Sequence, residues 1–490
     1  MEAQKLKLRN YISYGIGDIY GGGAFTIIGT FFLIFLTNNV GLSPFLAGAL
    51  FGIGRFWMSL TDPIFGIISD RTRSRFGRRR IYFLVGLIPI LITFIPLWLV
   101  PMKVGVNGVE QWHAFVYYFG MYIIFDLAYS MVIIPYSALV ADMSHEYKSR
   151  VKLSAFRMGF SQFSSILATI VAPILLVAFS YSNKAYLIMA ICFSVLYTVI
   201  WVVVFFGTFE ILVPQEKPLQ KASVSKVLGD MFRDIGTAFM NKSFRAQLGL
   251  FLFAFAALDI LMGLGAYYIN DYLKRPDLLS YMSAMWIAQV CVLPFYTYLA
   301  NKYSKATAYR IGATIWALAM LLLFTLTPHN TSALNVAIHF ALIGVGLSPC
   351  YMIPMAMISF VTEVDCLMTK KRRTGVYAGA MSSARKLSQG LIVLPGIGLL
   401  LTIIGYNASL STQSVTTLID LKLIFILLPI LLITVGFYFS MRFKVNPKNF
   451  EIIKAEISRL KSGGKKEHVH PETQMICEKL TGKKYEQLFN

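Results

Sequence analysis

Eight ionisable residues stand inside long apolar runs of this 490-residue chain: Asp18, Arg55, Asp62, Asp126, Arg157, Asp259, Arg385 and Lys386. If those runs cross a bilayer, each such group costs about 2.5–3.5 kcal/mol at mid-helix, so each needs a reason to be there. Buried acids and bases can hold a proton or a cation, accept the hydroxyl protons of a polar guest, or clamp an anion. Arg55, Ser59 and Asp62 fall at i, i+4 and i+7 and share one helix face, with Met58 one turn before Asp62. Asp126, Tyr129, Ser130 and Ile133 share a second face, Arg157 and Ser161 a third, and Ser382, Ser383, Lys386 and Gln389 a fourth. Opposite charges on different helices at similar depth are expected to face one interior, because none can face lipid. The plainer alternative is a set of paired charges that only fixes helix packing, above all Arg55 with Asp18 or Asp62, and Asp259. Arg385 and its neighbour Lys386 cannot point the same way, so one of them is expected to be structural. Tyr20, Tyr129 and Trp57 could stack on a ligand ring, although packing or interfacial anchoring is the simpler expectation in a chain with 14% aromatics.

The elements that must carry these residues are about a dozen apolar runs, near 11–37, 45–69, 81–101, 113–141, 153–180, 185–208, 246–272, 279–300, 307–327, 334–362, 375–404 and 421–442. In lipid the backbone must satisfy itself, so the runs are expected to be helices of roughly 20 residues or more. Cations crowd into every second loop. Asn38 to Pro44 has none, whereas Arg71 to Arg80 holds Arg71, Arg73, Arg75, Arg78, Arg79 and Arg80. The third loop has Lys103, the fourth Lys148, Arg150 and Lys152, and the fifth Lys184. Later basic loops carry Lys302, Lys305 and Arg310, then Lys370, Lys371, Arg372 and Arg373. This alternation places both termini in the cytoplasm. The expected organisation is an all-α membrane protein of two six-helix bundles, 1–208 and 246–444. A cytoplasmic linker, 209–245, containing Pro214, Lys217, Pro218, Lys221 and Lys226, joins them, and a soluble tail, 445–490, follows. In the tail, Phe450, Ile453, Ile457 and Leu460 recur at helical spacing. That predicts a short amphipathic helix on the membrane face or on the cytoplasmic loops, a break at 462–470 and a second short helix over 472–489.

Composition agrees. The chain is 56% hydrophobic and 14% charged, more apolar surface than a soluble domain of this size can hide. The net charge of +21 sits in short loops beside apolar runs and in the tail, where it meets anionic lipid headgroups, so nucleic acid is not an expected partner. Cys192, Cys291, Cys350, Cys366 and Cys477 show no metal-ligand spacing; reduced thiols without a metal are expected. No phosphate loop or nucleophile–base grouping points to an enzyme.

The run from Arg55 through Asp62-Pro63 to Gly66, followed by Asp70 and the arginine-rich loop to Arg80, resembles the second helix and following loop of the glycoside–pentoside–hexuronide:cation symporters. These form the melibiose-permease branch of the major facilitator superfamily. Tyr14 to Asp18, Thr37 to Ser43, Phe125 to Tyr136, and Arg372 to Gly375 with Lys386 resemble further parts of that family, so the likeness spans most of residues 10–445. It implies a major facilitator fold and no cofactor beyond a coupling ion, H+ or Na+. Asp62 would be the cation-site carboxylate, with Arg55 and Lys386 modulating it. Asp18, Asp126 and Arg157 would lie in the sugar cavity and Lys386 between the two sites, and Tyr129, on the Asp126 face, joins the expected substrate-binding set by its position. Asp70 with Arg71, Arg73, Arg78 and Arg79 would form a cytoplasmic latch. The chain departs from the family at Met58, where sodium-coupled members place a second Asp. It departs also at Ile133, at Gly22 in place of a sugar-binding carboxylate, at Ser137 in place of a Trp, and at Asn38 in place of an outer-end Asp. One carboxylate beside a thioether is a poor cage for a hard cation, so proton coupling is expected over sodium.

The expectation is therefore a monomeric, multi-pass carrier of the bacterial inner membrane that moves a sugar, glycoside or hexuronide by alternating access. Two alternatives stand beside it: a lipid or lysolipid carrier of the same fold, and a membrane sensor that signals through its tail.

Overall fold

The computed structural model describes residues 6–489 except 102–103, 106–107, 145, 212–228, 230–232, 234–235, 372, 409 and 411. The linker residues Pro214, Lys217, Pro218, Lys221 and Lys226, together with Lys103 and Arg372, lie outside the described residues. Among the described residues ten segments are long and apolar enough to span a bilayer, and two further long helical stretches, residues 8–40 and Pro44–Arg71, stand beside them. In chain order they are α1 (8–40), α2 (Pro44–Arg71), α3 (Ile81–Trp98), α4 (Gly108–Met143), α5 (Lys148–Ala178) and α6 (Asn183–Gly207). The second set is α7 (Lys242–Tyr272), α8 (Pro276–Lys302), α9 (Lys305–Thr325), α10 (Ala333–Thr369), α11 (Thr374–Ile403) and α12 (Val415–Arg442). Two short tail helices follow, α13 (Pro447–Lys461) and α14 (Pro471–Thr481).

Local chemistry sets several ends. Pro44 opens α2, where its missing N–H is harmless, and Asn241 caps α7 by accepting from the backbone N–H of Ser243 and Phe244 at 3.0 and 3.3 Å. Pro63 sits inside α2 directly after Asp62 and leaves the carbonyl of Ser59 without its intrahelical donor. α1, α7 and α11 each contain π-helical turns, at Ile28–Phe32 and Phe35–Val40, at Tyr268–Tyr272, and at Gln389–Val393 just beyond Lys386. Such turns widen a helix locally and rotate the side chains that follow.

The two halves meet at their outer ends. α2 crosses α11 with backbone against backbone: a Cβ on Gly52 would lie 2.2 Å from the Gly390 carbonyl oxygen, and one on Gly398 would lie 2.3 Å from that of Pro44. Thr37 of α1 bonds Tyr267 of α7 at 2.7 Å, Asn38 bonds Tyr406 after α11 at 3.0 Å, and Tyr181 donates to the Pro276 carbonyl at 3.0 Å. Toward the cytoplasm the seam opens: a Cβ at Gly159 of α5, or at Gly375 or Gly379 of α11, would meet nothing within 4 Å. The structure is closed outside and open inside.

The tail packs on the cytoplasmic end of the second half. Ile453, Ile457 and Leu460 of α13 are buried, Phe450 packs at a tilt against Phe360 with centroids 4.5 Å apart, and Ser243 donates to the Leu480 carbonyl at 2.8 Å. The amphipathic face foreseen in the tail thus lies on the cytoplasmic loops. Residues 466–468 of the expected break form a 3₁₀ turn, and the expected second helix ends at Thr481, where Gly482 adopts φ +79°.

Candidate functional site

On the first half's side of the seam, Arg157 of α5 pairs with Asp18 of α1 at 3.0 Å and donates to the hydroxyl of Ser137 on α4 at 3.0 Å. Its guanidinium carbon lies 5.0 Å from the centre of the Tyr136 ring. Arg157 retains 28% side-chain exposure, so one cation is held by three helices and still meets the open space. Gly22 lets α1 approach this closely: a Cβ there would fall 2.5 Å from Ser161 Oγ and 3.1 Å from the Ser161 carbonyl oxygen, so a larger side chain would have to displace Ser161. A charge-assisted cluster of this kind can bind hydroxyls through Asp18 and an anionic oxygen through Arg157.

Across the seam, Lys386 Nζ of α11 donates to Asp62 Oδ2 of α2, and Ser130 of α4 donates to Asp62 Oδ1 at 2.7 Å. Both members of the pair are partly exposed, at 23% and 18%. Asp126 lies one turn from Ser130, wholly buried, with no hydrogen-bond partner on either carboxylate oxygen. Its charged neighbours are Arg55, Asp62 and Lys386. Arg55 stacks over the Phe25 ring at 3.8 Å and points an Nη toward the Met58 sulfur at 3.8 Å. Neither Asp18 nor Asp62 pairs with Arg55, so the packing alternative for that residue gives way to a cation–π contact.

Two residues expected on the substrate wall stand elsewhere in this inward-open state. Asp126 is sealed beside Asp62, and Tyr129 is 8% exposed, its hydroxyl donating to the Gly21 carbonyl at 2.9 Å and tying α4 to α1. Their shared face points into the first bundle because the aromatic cluster of Tyr20, Phe25 and Phe125 fills the space around it. Asp259 of α7 takes Arg385 at 2.7 Å and Gln389 at 3.0 Å, so Arg385 braces α11 within the second half while Lys386 turns to the seam.

The basic loop forms an ordered knot at the cytoplasmic end of the first half. Arg79 pairs with Asp70 at 2.9 Å and with Asp142 at 2.5 Å, and Arg78 pairs with Asp142 at 2.8 Å. Glu210, just past α6, accepts the backbone N–H groups of Arg78, Arg79 and Arg80 at 2.9, 2.9 and 2.7 Å. Hydrogen bonding to Asp142, set against burial, raises the Arg78 pKa further. Arg71 and Arg73 are exposed at its edge. A matching knot in the second half joins Asp365 to Arg373 at 2.7 Å and to the Tyr377 hydroxyl at 2.9 Å. Asp142, Glu210 and Asp365 did not stand out from sequence. The available signal was an acid at a helix end facing an arginine-rich loop.

Two sets of six long helices among the described residues, ten of them long and apolar enough to cross a bilayer, with ion pairs at the seam between the sets, define a transporter of the major facilitator class. Residues 13–447 match the family model described as MFS/sugar transport protein, and the chain belongs to that family. It is a multi-pass integral protein of the bacterial plasma membrane. Among its relatives is a putative sulfoquinovose importer of Salmonella typhimurium, 28% identical, with 94% of each chain covered. Another is the sodium-dependent lysophosphatidylcholine symporter 1-A of Danio rerio, 26% identical over 88% of this chain and 85% of that one. The Escherichia coli xylose transporter XylE, in an inward open conformation, superposes with a TM-score of 0.60 at 12% identity, covering 91% of this chain and 98% of that one.

Proposed function

We propose that the protein, acting as a monomer, imports a sugar bearing an acidic group, a uronate or a sulfonated sugar, together with a proton. The observation that carries this reading is the Asp62–Lys386 pair, which bridges the two halves at the seam. A proton on Asp62 removes the charge that holds Lys386 and frees α2 from α11 at that depth. Asp126 adds a second carboxyl beside it. A buried carboxyl with no hydrogen-bond partner on either oxygen is costly to keep there. Lys386 occupies the side of Asp62 where a metal cation would sit, and Met58 and Ile133 supply no oxygen. Proton coupling fits these donors better than sodium coupling.

Arg157 supports the acidic sugar, since it presents a partly exposed guanidinium while Asp18 and Ser137 orient it. The name of the Salmonella relative agrees with a sulfonated hexose. Charged walls fit a polar guest better than an acyl chain, which disfavours the lysolipid alternative. The test is counterflow uptake into proteoliposomes with a panel of neutral hexosides, hexuronates, sulfonated hexoses and lysolipids. Exchange of the acidic sugars alone is expected; exchange confined to lysolipids would overturn the reading.

A further inference from the structure

A second polar–apolar cavity lies in the second half, on the cytoplasmic side and away from the seam. Its apolar part, about 100 Å³, runs between α8, α9 and α10 and is lined by Leu293, Tyr296, Pro349, Met352 and Ile353. Its polar part, about 300 Å³, lies under the start of the tail, lined by Phe360, Asn446, Phe450 and Glu451 among others. Ala300, Asn301 and Lys305 line both parts, so the two adjoin at Lys305.

Lys305 is electrostatically misplaced as the structure stands. It is the first residue of α9, where the helix dipole is positive and a cation is disfavoured. It is half-buried, and its only recorded partner among the described residues is the Phe360 ring, 4.3 Å from Nζ. Glu451, the one acid on the lining, is exposed and forms no ion pair with it. Tyr296, at 3% exposure, carries a hydroxyl with no hydrogen-bond partner on the wall of the apolar part. A cation at a helix N-terminus and an unsatisfied buried hydroxyl, at two points of one slot, are complementary to one kind of molecule. It has an anionic head for Lys305, a polar ester for Tyr296 and an apolar chain for the slot between helices. The site faces the cytoplasmic leaflet, where anionic phospholipids concentrate.

We propose that this cavity is a binding site for an anionic glycerophospholipid of the inner leaflet, its phosphate on Lys305 and the first turn of α9. The head would lie against Asn446 and Phe450, so the bound lipid also joins the tail to the α8–α9 loop.

The test is thermal unfolding of the full-length protein in detergent, titrated with dioleoyl phosphatidylglycerol, dioleoyl phosphatidylcholine, or inorganic phosphate. Phosphatidylglycerol is expected to raise Tm well beyond phosphatidylcholine, and inorganic phosphate to leave it unchanged. Lys305→Gln weakens the phosphatidylglycerol midpoint roughly five- to tenfold, whereas Lys305→Arg retains it and Lys302→Gln, on an exposed residue of the same loop, leaves it unaltered. Tyr296→Phe, which removes one oxygen and no volume, lowers the response without altering lipid-free stability. Equal stabilisation by both lipids, an undiminished response in Lys305→Gln, or the same gain from inorganic phosphate would each overturn the proposal. If Lys305→Gln does not fold, an unchanged response in Tyr296→Phe would do so.

Discussion

Lys386 of α11 and Asp62 of α2 form an ion pair that spans the two halves, with Ser130 of α4 holding the second carboxylate oxygen. The bond joins the one lysine and the one Asp-Pro carboxylate that the open side of the seam leaves in contact with each other. Whatever separates the halves at this depth must break it, and whatever neutralises Asp62 makes breaking it easier.

Asp62→Asn keeps the shape and deletes the proton site. Uphill accumulation driven by a pH gradient should vanish, while counterflow exchange of the same substrate persists. Vesicle uptake measured both ways checks this, and retained proton-driven accumulation would remove Asp62 from coupling.

Removing only one partner of a buried pair leaves an uncompensated charge. Lys386→Gln should lower stability by on the order of 2 kcal/mol, below the 3–5 kcal/mol typical of sealed pairs because both groups keep some water. The double variant Asp62→Asn/Lys386→Gln should recover most of that loss without recovering coupling. A thermal-unfolding cycle reads the difference, and additive losses would mean that the pair carries no interaction energy.

Arg157 is partly exposed and braced by Asp18 of α1 and Ser137 of α4. Arg157→Gln should raise KM for a hexuronate at least roughly tenfold, since a charge-assisted bond of about 1.5–3 kcal/mol is lost. A neutral hexoside should suffer less. Equal losses for the two sugars would show that Arg157 acts only in packing.

Gly52 and Gly390 touch backbone to backbone in the closed outer seam. Gly52→Ala sets a methyl 2.2 Å from a carbonyl oxygen that cannot swing aside, so the outer side should close less often. In a background with Cys192 and Cys291 replaced by serine, Thr37→Cys should then react faster with an impermeant maleimide added outside. Thr37 is fully buried in the closed seam, so unchanged labelling would contradict the role given to the glycine contact.

The tail reports pH through Glu456. Burial raises its pKa, but hydrogen bonds from Arg459 and Tyr485 and the Arg459 charge outweigh that and hold it below the usual 4.5. A depressed carboxyl contributes stability above its unfolded value and loses it as pH falls through the folded one. The packing of α13 against the chain around Tyr485 should therefore hold at neutral pH and loosen below about pH 4.5. Cys477 is fully buried, and burial lifts its thiol to about 12, so it should be inert to maleimide while the tail is docked. Brief acid exposure, return to neutral pH and immediate labelling should reveal it; full reactivity without acid would contradict this packing.

Much of the architecture was legible because lipid imposes it: apolar runs must be helices and cations must stay inside. Helix ends were less so. α7 begins at Lys242 rather than 246 because Asn241 caps it, and α10 runs on to Thr369 beyond a turn at Met357. Helical spacing placed Arg55 and Asp62 on one face, yet the partner of Arg55 is the Phe25 ring on another helix, which no periodicity reveals. The adjacency of Arg385 and Lys386 did show that one must turn away, and Asp259 is what it turns to. Asp126 and Tyr129 looked like wall residues because their face is polar. The aromatic cluster that encloses them is assembled from α1, α4 and α6, and appears only in three dimensions.

The most direct measurement is accumulation of an acidic hexose by proteoliposomes of the wild-type protein at a clamped membrane potential, with pH and sodium gradients imposed separately. An inward proton gradient with sodium absent should drive accumulation above equilibrium, and a sodium gradient at equal pH should not. Accumulation that follows sodium and ignores pH would contradict the account.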